Sequence, residues 1–289
     1  MNWNAPEISL LVRSALREDS AHSDITSRHL IDPSARVEAV IVSKATGIVA
    51  GLPLAAKFFR TFDPHVHFRA TVRDGKRVHS GERLALIKGS GRSILSAERP
   101  ALNALQHLSG IATYTAAQVQ KLKGTHVRLY DTRKTLPGWR HLQKYAVHCG
   151  GAQNHRMSLG DVMMIKENHL RVARETTPDW VSRLRRLKGK NGLASIQMEV
   201  QTQRDFQEAL RLKPQRVLLD NLSRQQLTRM TRVLRRQVPG IEIEITGGVK
   251  PEQLRRLARL GPDGISMGRL THSVTAFDCS LEILRVYPN

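Results

Sequence analysis

The sequence predicts an α/β protein in which an N-terminal α+β unit precedes a parallel α/β barrel. Three observations carry this. From Arg36 to Ile87, short strand-like runs alternate with turn glycines; from about Ser96 to Leu122, one apolar stripe has helical period; after Gly124, short apolar strands and amphipathic helical stretches alternate repeatedly.

Ile8, Leu11, Val12, Ala15 and Leu16 give residues 7 to 18 one apolar helical face, and Asp24-Ile25-Thr26-Ser27 opens a polar turn region. Val37 to Val42 and Val66 to Val72 read as strands, with turns at Gly47, Gly51, Asp74-Gly75 and Gly81 and a helix near 54 to 61. In the long helix, Ala101, Leu102, Leu105, Leu108, Ile111 and Ala112 share a stripe, and Gly110 marks a bend. Six strands then stand out: Val127–Tyr130, Val162–Ile165, Ile196–Val200, Val217–Leu219, Ile241–Ile245 and Gly264–Met267. Helical stretches at 178 to 189, 202 to 212, 223 to 237 and 251 to 260 separate several of them. A seventh short strand carrying Asn154-His155-Arg156 makes the barrel smaller or more open than the eight-stranded form.

Composition narrows the function classes. A chain of 289 residues with net charge +21 first raises nucleic acid as a partner. The distribution argues otherwise, because runs such as Arg183–Lys188, Arg232–Arg236 and Leu254–Arg259 place leucine or valine on one helical side and arginine on the other, as solvated helix faces do. Aromatic residues make up only 4%, little material for stacking bases. Glu7, Arg13, Arg17, Glu18 and Asp19 interrupt the apolar run that a signal peptide needs, and no stretch approaches the roughly 20 apolar residues of a membrane span. The expectation is a cytoplasmic protein with no membrane and no nucleic-acid partner. Cys149 and Cys279 lack the spacing of a zinc site, so Cys149 reads as a small buried residue.

Each strand gives way to polar or glycine-rich residues: Asp131 to Lys134, Lys166 to His169, Glu199, Asp220-Asn221, Thr246-Gly247-Gly248 and Gly268-Arg269. Parallel barrels build their sites at these carboxyl ends, often with a phosphate in the last two loops. Here those loops carry the glycines and precede helix starts, where backbone N–H groups favour an anion. Between Asp131 and His169, Arg133, Lys134, Arg140, Lys144, His155, Arg156, Lys166 and His169 form a basic wall. Glu199 and Asp220 either pair with cations across the barrel mouth or bind Mg²⁺ or sugar hydroxyls beside the phosphate. His155 and His169 read as hydrogen-bonded members of the wall, and Trp139 and Met163-Met164 as packing residues.

The spelling of these segments is specific. Asp131-Thr132-Arg133-Lys134-Thr135-Leu136-Pro137-Gly138, Lys144-Tyr145-Ala146-Val147, Cys149-Gly150-Gly151, Asn154-His155-Arg156, Ile165 to His169, Leu219-Asp220-Asn221 and Gly268 to Val274 resemble the quinolinate phosphoribosyltransferases, or carboxylating nicotinate-nucleotide pyrophosphorylases. Ala15 to Asp19, Asp24 to Ser27, Glu98 to Asn103 and Leu108 to Ala112 extend the likeness over nearly the whole chain. The resemblance implies an N-terminal α+β sandwich-like domain at 1–110, joined by a tail at about 273–289. An open seven-stranded α/β barrel of the type II phosphoribosyltransferase kind then occupies 111–272. It implies that quinolinate and phosphoribosyl pyrophosphate give nicotinate mononucleotide, pyrophosphate and CO₂ in NAD biosynthesis. Mg²⁺ would accompany the donor, and a homodimer would carry Arg99 into the partner's site.

Carried over by residue, Arg133, His155, Arg156 and Lys166 resemble the quinolinate binders, with Lys134 near both substrates. Glu199 and Asp220 resemble the residues that meet the ribose hydroxyls and the metal; Thr246, Gly247, Gly248, Gly268 and His272 resemble the 5′-phosphate cradle. Lys134, Lys166, Glu199 and Asp220 are the expected catalytic set. The chain departs from the family pattern at Gln197, where glutamate is common, Thr246 (serine), Arg269 (alanine) and Pro100 (threonine). Two other readings compete: a paralogue of the same fold associated with molybdate-transport operons, against which Asn154-His155-Arg156 and Leu219-Asp220-Asn221 argue, and a basic nucleic-acid-binding protein, which leaves Glu199 and Asp220 without a role.

Overall fold

The computed structural model describes residues 1–187 and 196–287. The chain divides into two compact units: Met1–Ala117, Thr135–Gly151 and Leu270–Asn289 form the first, Gln118–Lys134 and Ala152–Arg269 the second. The α/β expectation holds, with an antiparallel sheet in the first unit and a parallel sheet with helices in the second.

The first unit begins with α1 (Pro6–Glu18), whose buried Ile8, Val12 and Leu16 are the predicted stripe. Where a polar turn was expected, α2 (Ile25–Leu30) forms, because Asp24 accepts the Ser27 N–H as its N-cap. The strands are β1 (Arg36–Ser43), β2 (Gly47–Ile48), β3 (His67–Ala70), β4 (Arg77–Val78) and β5 (Arg83–Ser90), with α3 (Leu52–Phe62) after β2. β1 and β5 bury half or more of their residues, and α3 buries Phe58 and Phe59 fully. Each such phenylalanine contributes about 1.5–3 kcal/mol. The long helix α4 (Gly91–Lys121) is a single element through Gly110. That glycine serves close approach: a Cβ there would stand 2.2 Å from the Thr275 carbonyl oxygen.

In the second unit, β6 (Arg128–Tyr130) leads back to the first through α5 (Arg140–Cys149), which lies within Thr135–Gly151. The second unit resumes with β7 (Met163–Ile165), α6 (Glu167–Thr176), α7 (Trp180–Leu187), β8 (Ile196–Val200), α8 (Gln203–Leu212), β9 (Arg216–Asp220), α9 (Arg224–Gln237), β10 (Glu242–Thr246), α10 (Leu254–Ala258) and β11 (Gly264–Ser266). Residues 188–189 of the expected helix lie outside the described residues. From Leu270, within α11 (Arg269–His272), the chain returns to the first unit and forms β12 (Cys279–Tyr287), which pairs antiparallel with β1. Among the described residues the parallel sheet has six strands in the order β6-β11-β10-β9-β8-β7. The seventh strand expected at Asn154-His155-Arg156 is a single parallel bridge between Gln153 and Tyr130.

These strands are not uniformly apolar; they alternate. Register puts Met198, Val200, Val217, Leu219, Ile243, Ile245, Ile265 and Leu129 on one face. This matches the apolar sides of α8 and α9, on which Phe206, Ala209, Leu212, Leu227, Met230 and Leu234 are buried. The other face carries Gln197 and Glu199, Arg216 and Asp220, Glu242, Glu244 and Thr246, and Ser266 and Tyr130. Solvent takes most of the basic surplus, as the solvated-face reading expects. In α9, Arg229, Arg232, Arg235 and Arg236 lie on the side away from Leu227, Met230 and Leu234.

Candidate functional site

The polar face of the second unit's sheet has a floor and a mouth. On the floor, Arg216 donates to Glu242 Oε2 at 2.6 Å and to Glu244 Oε2 at 2.9 Å. Its guanidinium lies 4.9 Å from the centre of the Tyr130 ring. Glu244, 2% exposed at its side chain, also faces His155 Nε2 at 3.5 Å. Burial pushes the Glu244 carboxyl up, but His155 and Arg216 outweigh it and hold it below the ordinary range. His155 is held from its other side too, where Nδ1 accepts the Arg156 backbone N–H at 2.9 Å. Asp131, fully buried after β6, accepts the His155 backbone N–H at 2.7 Å and so pins this segment.

At the carboxyl ends of the strands the balance changes. Arg156 donates to the Val162 carbonyl at 3.1 Å, and its pKa is lowered by burial and by the neighbouring Arg133 charge. Two like-charged guanidinium groups in a half-buried place are a chemistry that an anion of two charges can offset. Lys134, exposed, donates its backbone N–H to Thr132 Oγ1 at 3.1 Å. Lys166 forms the N-cap of α6: its own N–H donates to His169 Nδ1 at 3.0 Å, and its ammonium pairs with Glu199 Oε2. His169 is thus a wall member, as expected.

Glu199 and Asp220 interact directly. Burial pushes Glu199 up, but the Lys166 ammonium overcomes it and keeps the carboxyl below its usual range. Asp220 goes the other way: burial, and then the Glu199 carboxyl beside it, push its pKa up to about 6. Asn221 comes next, with φ +53°, and donates Nδ2 to Asp220 Oδ2 at 3.2 Å. The glycine pair is built around this corner. A Cβ on Gly247, at φ +82°, would stand 2.4 Å from both Asn221 N and Asp220 Oδ1, so only glycine lets the loop lie against the acid. Thr246 Oγ1 accepts from Ser266 Oγ at 2.8 Å, and Gly268 lies just beyond β11.

Thus Arg133, Lys134, His155, Arg156, Lys166, Glu199, Asp220, Thr246, Gly247, Gly248 and Gly268 all belong to one unit and to the segments that end its strands. Arg99 and His272 belong to the other. Arg99, on α4, has a 60% exposed side chain 3.8 Å from Glu98, and His272 Nδ1 lies 2.6 Å from Ser273 Oγ. Arg269 is exposed, and burial pushes the Cys149 thiol up to about 11, so it is no ready nucleophile. Sequence reasoning missed Gln201, Arg216 and Glu244. The last two were legible as charges alternating with Val217 and Ile243 in strands taken as apolar; Gln201 had no such signal.

Among the described residues, no three His, Cys, Asp or Glu side chains gather as a metal cage. The acid pair supplies two hard carboxylates, the number that Mg²⁺ takes when it arrives with a phosphorylated substrate and keeps its waters. The donor set therefore fits a metal delivered with a ligand.

Models of the quinolinate phosphoribosyl transferase N-terminal and C-terminal domains match residues 24–109 and 111–282. A nicotinate-nucleotide pyrophosphorylase [carboxylating] from Mycobacterium leprae is 36% identical over 279 residues, covering 94% of this chain and 95% of that protein. The crystal structure of NadC from Streptococcus pyogenes shares 34% identity at a TM-score of 0.85, over 96% of this chain and 97% of that one. The nicotinate-nucleotide pyrophosphorylase of Francisella tularensis gives 33% and 0.85 over 97% and 98%. By sequence and by fold, then, the chain belongs to the quinolinate phosphoribosyltransferase family.

Proposed function

We propose that the protein joins quinolinate to phosphoribosyl pyrophosphate and releases pyrophosphate and CO₂. The product is nicotinate mononucleotide, made for NAD biosynthesis in the cytoplasm. The carrying observation is the mouth itself: the interacting guanidinium groups of Arg133 and Arg156 and the Lys166 ammonium share one unit's strand ends with the Glu199–Asp220 pair and the Gly247-Gly248 corner. A dicarboxylate and a phosphorylated sugar are the ligands that such a set complements.

In this reading Arg133, Arg156 and Lys166 bind the quinolinate carboxylates, His155 braces the Arg156 backbone, and Lys134 lies near both substrates. Held there, the ring nitrogen is set in line with the anomeric carbon, and the reaction gains from orientation. Glu199 and Asp220 take the ribose hydroxyls and steady the positive charge that grows on the sugar. The same two carboxylates would hold Mg²⁺ brought by the donor, whose contribution is to offset the charge left on pyrophosphate. Thr246, Gly247, Gly248 and Gly268, with His272, receive the 5′-phosphate through backbone N–H groups and hydroxyls. Once alkylated, the cationic pyridinium stabilises the electron pair left at its 2-position as CO₂ departs, and a proton takes the vacated place. The protein works as a homodimer in which Arg99 enters the partner's site.

The purified protein with Mg²⁺, phosphoribosyl pyrophosphate and quinolinate should yield nicotinate mononucleotide and CO₂, while nicotinate, lacking the leaving carboxylate, should be a poor substitute. No product above background refutes the reading.

A further inference from the structure

Gln201 lies one residue beyond β8, and its side-chain amide reaches both acids. Nε2 donates to Glu199 Oε1 at 3.2 Å and to Asp220 Oδ2 at 2.6 Å. Its backbone is anchored from behind: Gln201 N–H donates to Asp205 Oδ2 at 3.1 Å, the oxygen that also takes the Thr202 N–H at 2.9 Å in the capping box of α8. Asp205 is itself clamped by Arg174 Nη2 at 2.5 Å, and the same guanidinium holds Glu208. A continuous run of hydrogen bonds therefore leads from α6, through the start of α8, to the two carboxylates. Two like charges this close repel, and a neutral double donor joins them without adding charge. A lysine or arginine in that place would neutralise the pair and compete with any cation it holds.

We propose that Gln201 is a positioning residue for the phosphoribosyl donor: its amide fixes the spacing at which Glu199 and Asp220 meet the ribose hydroxyls and the donor's metal. This rests on the proposed function, and it assigns the donor side of the site, not the quinolinate side, to Gln201. The test compares Gln201→Leu, which removes the donors, with Gln201→Glu, which keeps the size but puts a third carboxylate in place of the N–H groups.

Both variants should raise KM for phosphoribosyl pyrophosphate about tenfold, the scale of one hydrogen bond to a charged acceptor, and leave KM for quinolinate within twofold. Calorimetric titration of phosphoribosyl pyrophosphate with Mg²⁺ should show the same tenfold weakening without turnover. Donor binding thus reads the role of Gln201 even if the native protein makes no nicotinate mononucleotide, an outcome that would count against the proposed function alone. Native donor affinity in either folded variant, or an equal rise in KM for both substrates, overturns the assignment.

Discussion

The floor and the mouth of one sheet face use the same residue types to opposite ends. On the floor opposite charges meet at short range, with Arg216 between Glu242 and Glu244, and Glu244 also faces the His155 ring. At the mouth, beyond the Lys166–Glu199 pair, like faces like: burial and then Arg133 lower the pKa of Arg156, and burial and then Glu199 raise that of Asp220. Matched charge needs no ligand and specifies packing. Mismatched charge, held in place by backbone and capping contacts, is strain that a ligand of the opposite sign relieves.

The sharpest way to break this contrast is to remove the mismatch. Asp220→Asn should cut kcat/KM at least about a thousandfold, since it deletes a carboxylate aimed at the developing charge, and should also make the protein more stable. The raised pKa sets the sign. The folded state binds the Asp220 proton more tightly than the unfolded chain does, so ionisation penalises folding above about pH 6, and the penalty vanishes below the ordinary value of 3.8. After screening at the open mouth, about 1 kcal/mol is expected at pH 7, or about 2–3 °C in Tm. Thermal melts at pH 7 and pH 4 check it: the gain should be present at the first and absent at the second.

A smaller loss is expected on the cationic side. Arg133→Ala should raise KM for quinolinate about a hundredfold, one bidentate charge-assisted contact, and spare that for phosphoribosyl pyrophosphate; an unchanged quinolinate KM would refute the assignment. The floor should respond in stability instead. Arg216→Met leaves Glu244 buried without its guanidinium partner and should cost about 3 kcal/mol of stability, seen in urea unfolding, while the folded fraction keeps kcat/KM within about fivefold. A larger loss of activity than of stability would erase the distinction between floor and mouth.

The sequence exposed the mouth more readily than the floor, for a physical reason. Parallel strands end where the sheet meets solvent, so Asp220-Asn221 and Thr246-Gly247-Gly248 stand out against the apolar residues before them. Ile241 to Ile245 reads as apolar because isoleucines dominate it, yet Glu242 and Glu244 fall between them on the face that carries Arg216. Helix α6 escaped notice because Glu167-Asn168-His169 reads as a polar loop; its start is fixed by contacts at Lys166 that composition cannot express. Gln201 carries no charge and belongs to no spacing rule. Only the positions of its acceptors give it a part.

The pairing of β12 with β1 has a consequence for how the chain acquires its shape. Tyr287 Oη donates to Glu38 across 249 residues of sequence, so the first unit's sheet cannot gain β12 until Cys279–Tyr287 has left the ribosome. During synthesis β1 must wait with one edge open, while the βα repeats of the second unit join neighbours close in sequence and can assemble as they emerge. The unit that holds β1 is therefore completed after the repeats of the second. Its unfinished edge is where assembly in the cell is most exposed to error.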